Sequence, residues 1–290
     1  MKQVVVASGK GGTGKTSMVS SFAALTNAVF ADCDVDAPNL HLILKPEITE
    51  KMPYEGMEVA RIDEGKCIKC GECERACRFN AIENFKVIEE KCEGCGVCPL
   101  VCPVDAITLH KRVNGIVYVA DTRFGDFVYG ILSPGEEASG KLVTMVRKKA
   151  QEIAEKKGKD LIVIDAPAGI GCPVISSIGG TDLAVIVAEP TMAAIHDMER
   201  ILKVAEHFNV PTVVCINKYD INEEQSRKIE EYCREKGIEI LGKIRFNKKF
   251  TEAMVEGKNI IEYDEELGEI IREIWNRVEK KLGERQKEKT

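Results

Sequence analysis

The sequence predicts a doubly wound, mainly parallel α/β fold interrupted by a small cysteine-rich insertion. Three observations carry this expectation. Strand-length apolar runs alternate with helical patterns along most of the chain. The runs are continuously apolar, as strands covered on both faces of a parallel sheet must be. Between Tyr54 and about Leu109 the alternation gives way to short, turn-rich sequence holding eight of the twelve cysteines.

The elements follow in order. Gln3–Ala7 is a strand, followed by a Gly-rich loop, a helix over Lys15–Leu25 and a second strand over Ala28–Asp32. After the insertion the alternation resumes near Ile116. Leu161–Ile164, Leu183–Val187 and Thr212–Ile216 are expected as buried strands, with helices over Gly140–Lys156, Ala193–Phe208 and Glu223–Lys236. Gly125, Gly130, Gly135 and Gly140 recur every five residues. Arg123–Gly130 and Pro134–Lys141 are therefore expected as a turn-rich return to the sheet, or as a docking surface. In Glu265–Leu282, Leu267, Ile270, Ile271, Ile274, Trp275, Val278 and Leu282 fall at helical spacing, which predicts a helix packed on the core. The expected division is 1–57 with 112–290 for the sheet domain and 58–111 for the insertion.

Composition narrows the function classes. With 44% apolar and 30% charged residues, the chain of 290 is globular rather than disordered. A net charge of −6 gives no reason to expect a nucleic-acid partner. No apolar run approaches the 18 residues that would predict a membrane span. The N-terminus enters a strand without a signal-peptide apolar core, so a cytoplasmic location is expected. In a reducing compartment a local cluster of thiols means metal chemistry rather than disulfides. The scattered Cys33, Cys215 and Cys233 are expected to be small buried hydrophobes.

Gly9–Lys10–Gly11–Gly12–Thr13–Gly14–Lys15–Thr16 matches G-x-x-x-x-G-K-[ST] between a strand and a helix. Such a loop turns backbone N–H groups toward phosphates. Lys15 would neutralise the β- and γ-phosphates, and the Thr16 hydroxyl would ligate Mg²⁺. The helix N-terminus adds positive potential. Leu161–Asp165 is an apolar strand ending in a carboxylate suited to the same Mg²⁺.

The second lysine, in K-G-G-x-G-K-T, resembles the deviant Walker A (SIMIBI-type) ATPases. That superfamily includes MinD, the partition ATPases, Mrp-type ATPases and the nitrogenase iron protein. The resemblance spans about 1–45 and 115–282. It implies ATP as ligand, and hydrolysis in an ATP-dependent homodimer in which Lys10 reaches the nucleotide of the partner subunit. It implies Asp34 as the carboxylate that positions the attacking water, with Asp36 a second candidate. It makes Asp165–Gly169 a nucleotide-sensing switch and Asn217 a reader of the base. Asn217–Lys218–Tyr219–Asp220 also spells the N-K-x-D of GTPases; the deviant lysine favours ATP.

Cys67, Cys70, Cys73 and Cys77 are spaced as Cys92, Cys95, Cys98 and Cys102 are, and a shift of 25 positions also superposes Lys66 on Lys91, Gly71 on Gly96 and Ala81–Ile82 on Ala106–Ile107. The block is an internal duplication. Structural zinc, the competing reading, favours paired cysteines separated by a longer loop. The spacing resembles bacterial two-cluster ferredoxins, across about 60–110. In those the fourth Cys of each run ligates the other cluster. The resemblance implies two [4Fe–4S] clusters, one on Cys67, Cys70, Cys73 and Cys102, the other on Cys92, Cys95, Cys98 and Cys77. Arg78 stands where the second run has Pro103.

The combination implies ATP-gated electron transfer to a redox partner, or ATP-dependent assembly of iron–sulfur clusters on a cluster-accepting protein. Spatial positioning of the MinD kind is a third expectation. Cys172, seven residues after Asp165, resembles in its offset a cluster-ligating cysteine of the nitrogenase iron protein. Two readings stay open for it: a buried structural cysteine, or a thiol facing its mate across a dimer axis as ligand or redox gate.

Overall fold

A computed structural model describes residues 1–136 and 140–288. In chain order, β1 (Lys2–Ser8), α1 (Lys15–Ala23), β2 (Val29–Asp32), α2 (Leu40–Leu44) and β3 (Glu47–Tyr54) come first. The cysteine-rich stretch holds β4 (Met57–Ile62), α3 (Glu72–Ala76), β5 (Ile82–Glu83), β6 (Lys86–Val87), α4 (Val97–Val101) and β7 (Ile107–Arg112). Then follow β8 (Gly115–Thr122), β9 (Gly125–Leu132), α5 (Gly140–Lys157), β10 (Leu161–Ala168), α6 (Cys172–Ile178) and β11 (Leu183–Ala188). The chain closes with α7 (Met192–His207), β12 (Thr212–Asn217), α8 (Glu223–Glu235), β13 (Glu239–Ile244), α9 (Lys249–Val255), α10 (Ile260–Tyr263) and α11 (Glu265–Glu288). No helix among the described residues is long and apolar enough to cross a membrane.

The contacts divide the chain into two compact units. Unit 1 takes in Met1–Lys51, Val117–Ile131 and everything from α5 onward. Unit 2 takes in Met52–Ile116 and the short return from Leu132.

In unit 1 the main sheet runs β13-β12-β11-β1-β10-β2-β9-β8-β3. Every neighbouring pair from β13 to β9 is parallel. The strands β1, β2 and β11 are buried along almost their whole length, as their unbroken apolar sequences require. Parallel strands bring their carboxyl ends to one edge, which is where a ligand crevice forms in such sheets. The ends of β1, β2, β10 and β12 all lie there. The expected tail helix is α11. Its Leu267, Ile271, Ile274, Trp275, Val278 and Leu282 are buried in the core with Phe22 of α1.

Arg123–Gly130 departs from expectation. It forms a two-residue link and most of β9, not a turn-rich return. Phe127, Val128 and Tyr129 are buried. Gly130 is a glycine because of close packing: a Cβ there would lie 3.0 Å from Val35 Cγ1 and 3.1 Å from Val146 Cγ2. Of the second segment, Pro134 and Gly135 form a turn and Gly140 opens α5, while residues 137–139 lie outside the described residues. The strand β13 was also unforeseen, because Glu239–Ile244 mixes polar with apolar residues.

Unit 2 has a small core. Strands β4 and β7 pair antiparallel, from Met57 opposite Arg112 to Ile62 opposite Ile107. Ala60, Cys73, Ile82 and Ile107 form its buried centre. The duplication extends to the backbone: positive φ angles recur 25 positions apart at Lys69 and Gly94, Gly71 and Gly96, and Asn80 and Asp105. Gly71 and Gly96 cap α3 and α4 in the same left-handed conformation. Asn114 fastens the ends of the unit. Its Oδ1 accepts from the N–H groups of Gly56 and Met57, and its Nδ2 donates to Glu136.

Candidate functional site

The loop between β1 and α1 is shaped by glycine. Gly12 and Gly14 have φ of +77° and +96°, and Gly14 caps α1. A side chain at Gly14 would meet Asn217 Nδ2 at 2.4 Å. That amide nitrogen instead donates to the Thr13 carbonyl at 2.7 Å, pinning the loop to the end of β12. The cleft beside the loop has a volume of about 290 Å³. Gly12, Gly14, Lys15 and Thr16 line one side, Asn217 and Lys218 another, and Arg245–Asn247 with Phe250 and Met254 contribute to a third. The stretch 245–254 carries no local motif, and sequence reasoning missed it.

Carboxylates gather at the ends of β2 and β10. The two strands are in register, with Asp32 beside Asp165. Asp32 is fully buried and accepts from the N–H groups of Asp34 and Leu40, so it shapes the loop between them. Burial and the neighbouring Asp165 push its carboxyl well above the usual range. Asp165 is 1% exposed, and neither carboxylate oxygen has a hydrogen bond of normal geometry. Burial, offset in part by Lys15 and the Thr16 hydroxyl, pushes its carboxyl up to about 6. Two orphaned, buried carboxylate oxygens near a hydroxyl and a phosphate loop are a donor set that suits Mg²⁺. Asp34 is half-buried; burial raises its carboxyl and Lys15 opposes the rise. Asp36 is exposed and solvated.

Lys10 lies on the other side of the loop. It pairs with Glu189 and bonds Thr191 Oγ1 at 3.3 Å. Glu189 also pairs with Lys218 Nζ at 3.2 Å, and the same ammonium donates to the Gly12 carbonyl at 2.7 Å. Burial favours the neutral acid, but hydrogen bonds from both lysines hold the Glu189 carboxyl low. Asp197 of α7 abuts Gly9, where a Cβ would lie 2.2 Å from the Asp197 Cβ. Glu189 was not foreseen, and Lys218 was noted only as part of N-K-x-D, because long-range partners leave no mark on local spacing.

Unit 2 carries two apolar cavities. Cys67, Cys70, Cys73 and Cys102 line one, with Ile62, Phe85 and Ile107. Cys77, Cys92, Cys95 and Cys98 line the other, with Phe79, Ile82 and Leu109. Three sulfurs accept backbone N–H groups: Cys77 from Ala81 at 3.3 Å, Cys102 from Ala106 at 3.3 Å and Cys92 from Ala60 at 3.4 Å. Among the described residues no three His, Cys, Asp or Glu side chains converge on a point where a single metal ion could sit. A cuboidal cluster takes each thiolate at a different iron, so its ligands need not converge.

The scattered Cys33, Cys215 and Cys233 are fully buried. Cys172 is not the buried cysteine of one reading: it is exposed at the first position of α6, because the Gly169–Gly171 turn carries it out of the sheet edge.

Residues 4–260 match the model of the CobQ/CobB/MinD/ParA nucleotide-binding domain. The chain is 38% identical over 224 residues to the uncharacterised protein MJ0578 of Methanocaldococcus jannaschii, covering 76% of this chain and 79% of the relative. It superposes with a TM-score of 0.59 and 17% identity on the septum site-determining protein MinD of Pyrococcus horikoshii, solved with Mg-ADP, over 96% of this chain and 95% of that one. The cell-division ATPase MinD of Pyrococcus furiosus gives the same score and identity over 96% and 98%. At that identity the likeness of these structures concerns the fold.

Proposed function

Because the chain belongs to the CobQ/CobB/MinD/ParA nucleotide-binding family, as an ATPase of the MinD/ParA type, we propose that ATP closes a homodimer of it and thereby gates electron transfer through two [4Fe–4S] clusters in unit 2. The observation that carries the reading is the crossing of the cysteines. Each cavity draws three thiols from one run and one from the other. That is the ligand sharing of two-cluster ferredoxins.

Each residue has a place in this reading. Lys15 and the N–H groups of Gly11–Thr16 hold the β- and γ-phosphates at the start of α1. Thr16 and Asp165 hold Mg²⁺, which neutralises charge on the phosphates. Asp34 orients the attacking water. Asn217 reads the base, and Lys10 crosses to the phosphates of the other subunit. One Asp220 oxygen accepts the Phe246 N–H at 2.7 Å; the deviant Lys10 is what favours ATP over GTP. In unit 2 the eight thiolates hold the clusters, which when bound supply one-electron storage. The N–H groups of Ala60, Ala81 and Ala106 stabilise thiolate charge, and the apolar walls exclude water. In this reading unit 2 contains a ferredoxin-like domain over 58–111. Such a protein needs a soluble redox partner and works in the cytoplasm.

One observation favours the second reading, cluster assembly: Cys70 and Cys95 are exposed, one in each cavity, and an exposed ligand suits transfer. Spatial positioning draws support from the MinD likeness alone and gives the cysteines no task. The test is anaerobic isolation with bound partners. The protein should carry about eight iron and eight sulfide per chain, as two four-iron clusters require. Dithionite-reduced protein should reduce those partners only with ATP. Transfer of iron to an apo-protein would move the assignment to assembly. Zinc without absorption near 400 nm would end both.

A further inference from the structure

We infer that Glu189 is a positioning residue for Lys10: it holds Lys10 within its own subunit until phosphates displace it, and so sets the ATP concentration at which two chains join. The inference rests on the reading of Lys10 as a residue that acts across a homodimer.

Glu189 follows directly on β11, with its side chain 12% exposed. It stands between two lysines that approach from different parts of the chain. Lys10 comes from the phosphate loop and Lys218 from the end of β12. Lys218 in turn holds the Gly12 carbonyl, and Asn217 holds that of Thr13. One carboxylate therefore ties the lysine of the dimer to the framework of the nucleotide cleft. The Lys10 side chain is 33% exposed, so it remains reachable from outside the subunit.

Lys10 cannot give full strength to Glu189 and to a partner's phosphate together. Triphosphate carries more charge than one carboxylate, and its oxygens make charge-assisted bonds at least as strong. Exchange thus runs forward when ATP is present, against the cost of breaking a partly buried pair. When Lys10 leaves, Glu189 keeps Lys218, so it is not stranded without a counter-ion. That second lysine is what makes the latch reversible.

The amide of Glu189→Gln keeps the shape and removes the charge. ATP-dependent self-association of the full chain, followed anaerobically by sedimentation with MgATP, should then reach its midpoint at about five-fold lower ATP, the factor for one part-exposed ion pair. Glu189→Asp keeps the charge but withdraws it by one methylene. It should fall between the two, which guards against a Gln variant that fails to fold. Lys10→Ala should not associate at any ATP concentration. A residue that merely supports the fold would raise the midpoint or leave it unmoved. If the wild type associates and Glu189→Gln has the same or a higher midpoint, the latch is wrong while the dimer reading stands. If the wild type does not associate with ATP, the dimer reading fails and takes the latch with it.

Discussion

The two units are held together by different means. Unit 1 buries long apolar strands and the inner face of a 24-residue helix, a core large enough to stand without help. Unit 2 has roughly seventy residues, a size at which a lone hydrophobic core supplies little and folds add a disulfide or a metal. Its buried centre is four side chains, one of them Cys73. The other seven cysteines of the ladder complete the walls of two apolar cavities. The comparison teaches that the same cysteines can be read as function and as structure: under the proposed reading, a cluster filling each cavity would also supply the missing part of the core.

The largest expected effect tests that difference. Anaerobic removal of iron by a chelator should unfold unit 2, because binding energy at such a site is folding energy. Proteolysis should then cut within Met52–Ile116 while unit 1 still binds nucleotide. Equal resistance of both units after iron removal would abolish the distinction. The converse substitution is Phe22→Ala, in the core of unit 1. It should cost about 3–5 kcal/mol of unit 1 stability and leave the iron content unchanged.

Nucleotide chemistry should be confined to unit 1. Lys15→Ala is expected to weaken ATP binding about 100-fold, as the loss of a buried charge partner does. Lys10→Ala should keep most of the binding and lose hydrolysis and self-association. Normal hydrolysis by Lys10→Ala, read by phosphate release, would remove the deviant-lysine reading. Neither change should alter the absorption of unit 2.

The phosphate loop was legible from sequence because its chemistry is local: eight consecutive residues between a strand and a helix. So was the cysteine ladder, whose spacing repeats within 36 residues. The doubly wound sheet followed from runs buried on both faces. Legibility ended where a residue acts through a distant partner. Glu189 is ordinary until Lys10 and Lys218 are placed beside it. Arg245–Met254 has no pattern until β13 brings it to the cleft. Gly130 was mistaken for a turn because a glycine needed for packing and one needed for φ are the same letter.

A smaller effect concerns pH. Burial pushes the Asp165 carboxyl from its ordinary 3.8 up to about 6 in the folded chain. The native state therefore binds the proton more tightly, and the stability this confers is lost as pH rises through about 6. Asp32 is shifted in the same direction. Metal-free, nucleotide-free unit 1 should melt at a higher temperature at pH 5 than at pH 7, and magnesium nucleotide should flatten the slope. A melting temperature that is lower at pH 5 would show that Asp165 is already paired.

The smallest effect compares the halves of unit 2. A Cβ at Gly94, where φ is +60°, would lie 2.1 Å from the Glu58 carbonyl oxygen. Its counterpart Lys69 has a side chain at φ +57°. Gly94→Ala should cost about 1–3 kcal/mol and Lys69→Ala about 0.5 kcal/mol or less, by denaturant melts of the iron-loaded protein. Equal costs would mean that the duplicated halves are also packed alike.

The chain has one tryptophan. Trp275 is 2% exposed on α11, with its ring 4.7 Å from that of Phe22 on the phosphate-loop helix. Its fluorescence therefore originates in unit 1, beside the helix that follows the phosphate loop. The visible colour that clusters would give belongs to unit 2 alone. With clusters bound, the protein would offer two optical signals, tryptophan emission from unit 1 and visible absorption from unit 2. A single sample, heated or mixed with ATP without any label, would show which unit responds first.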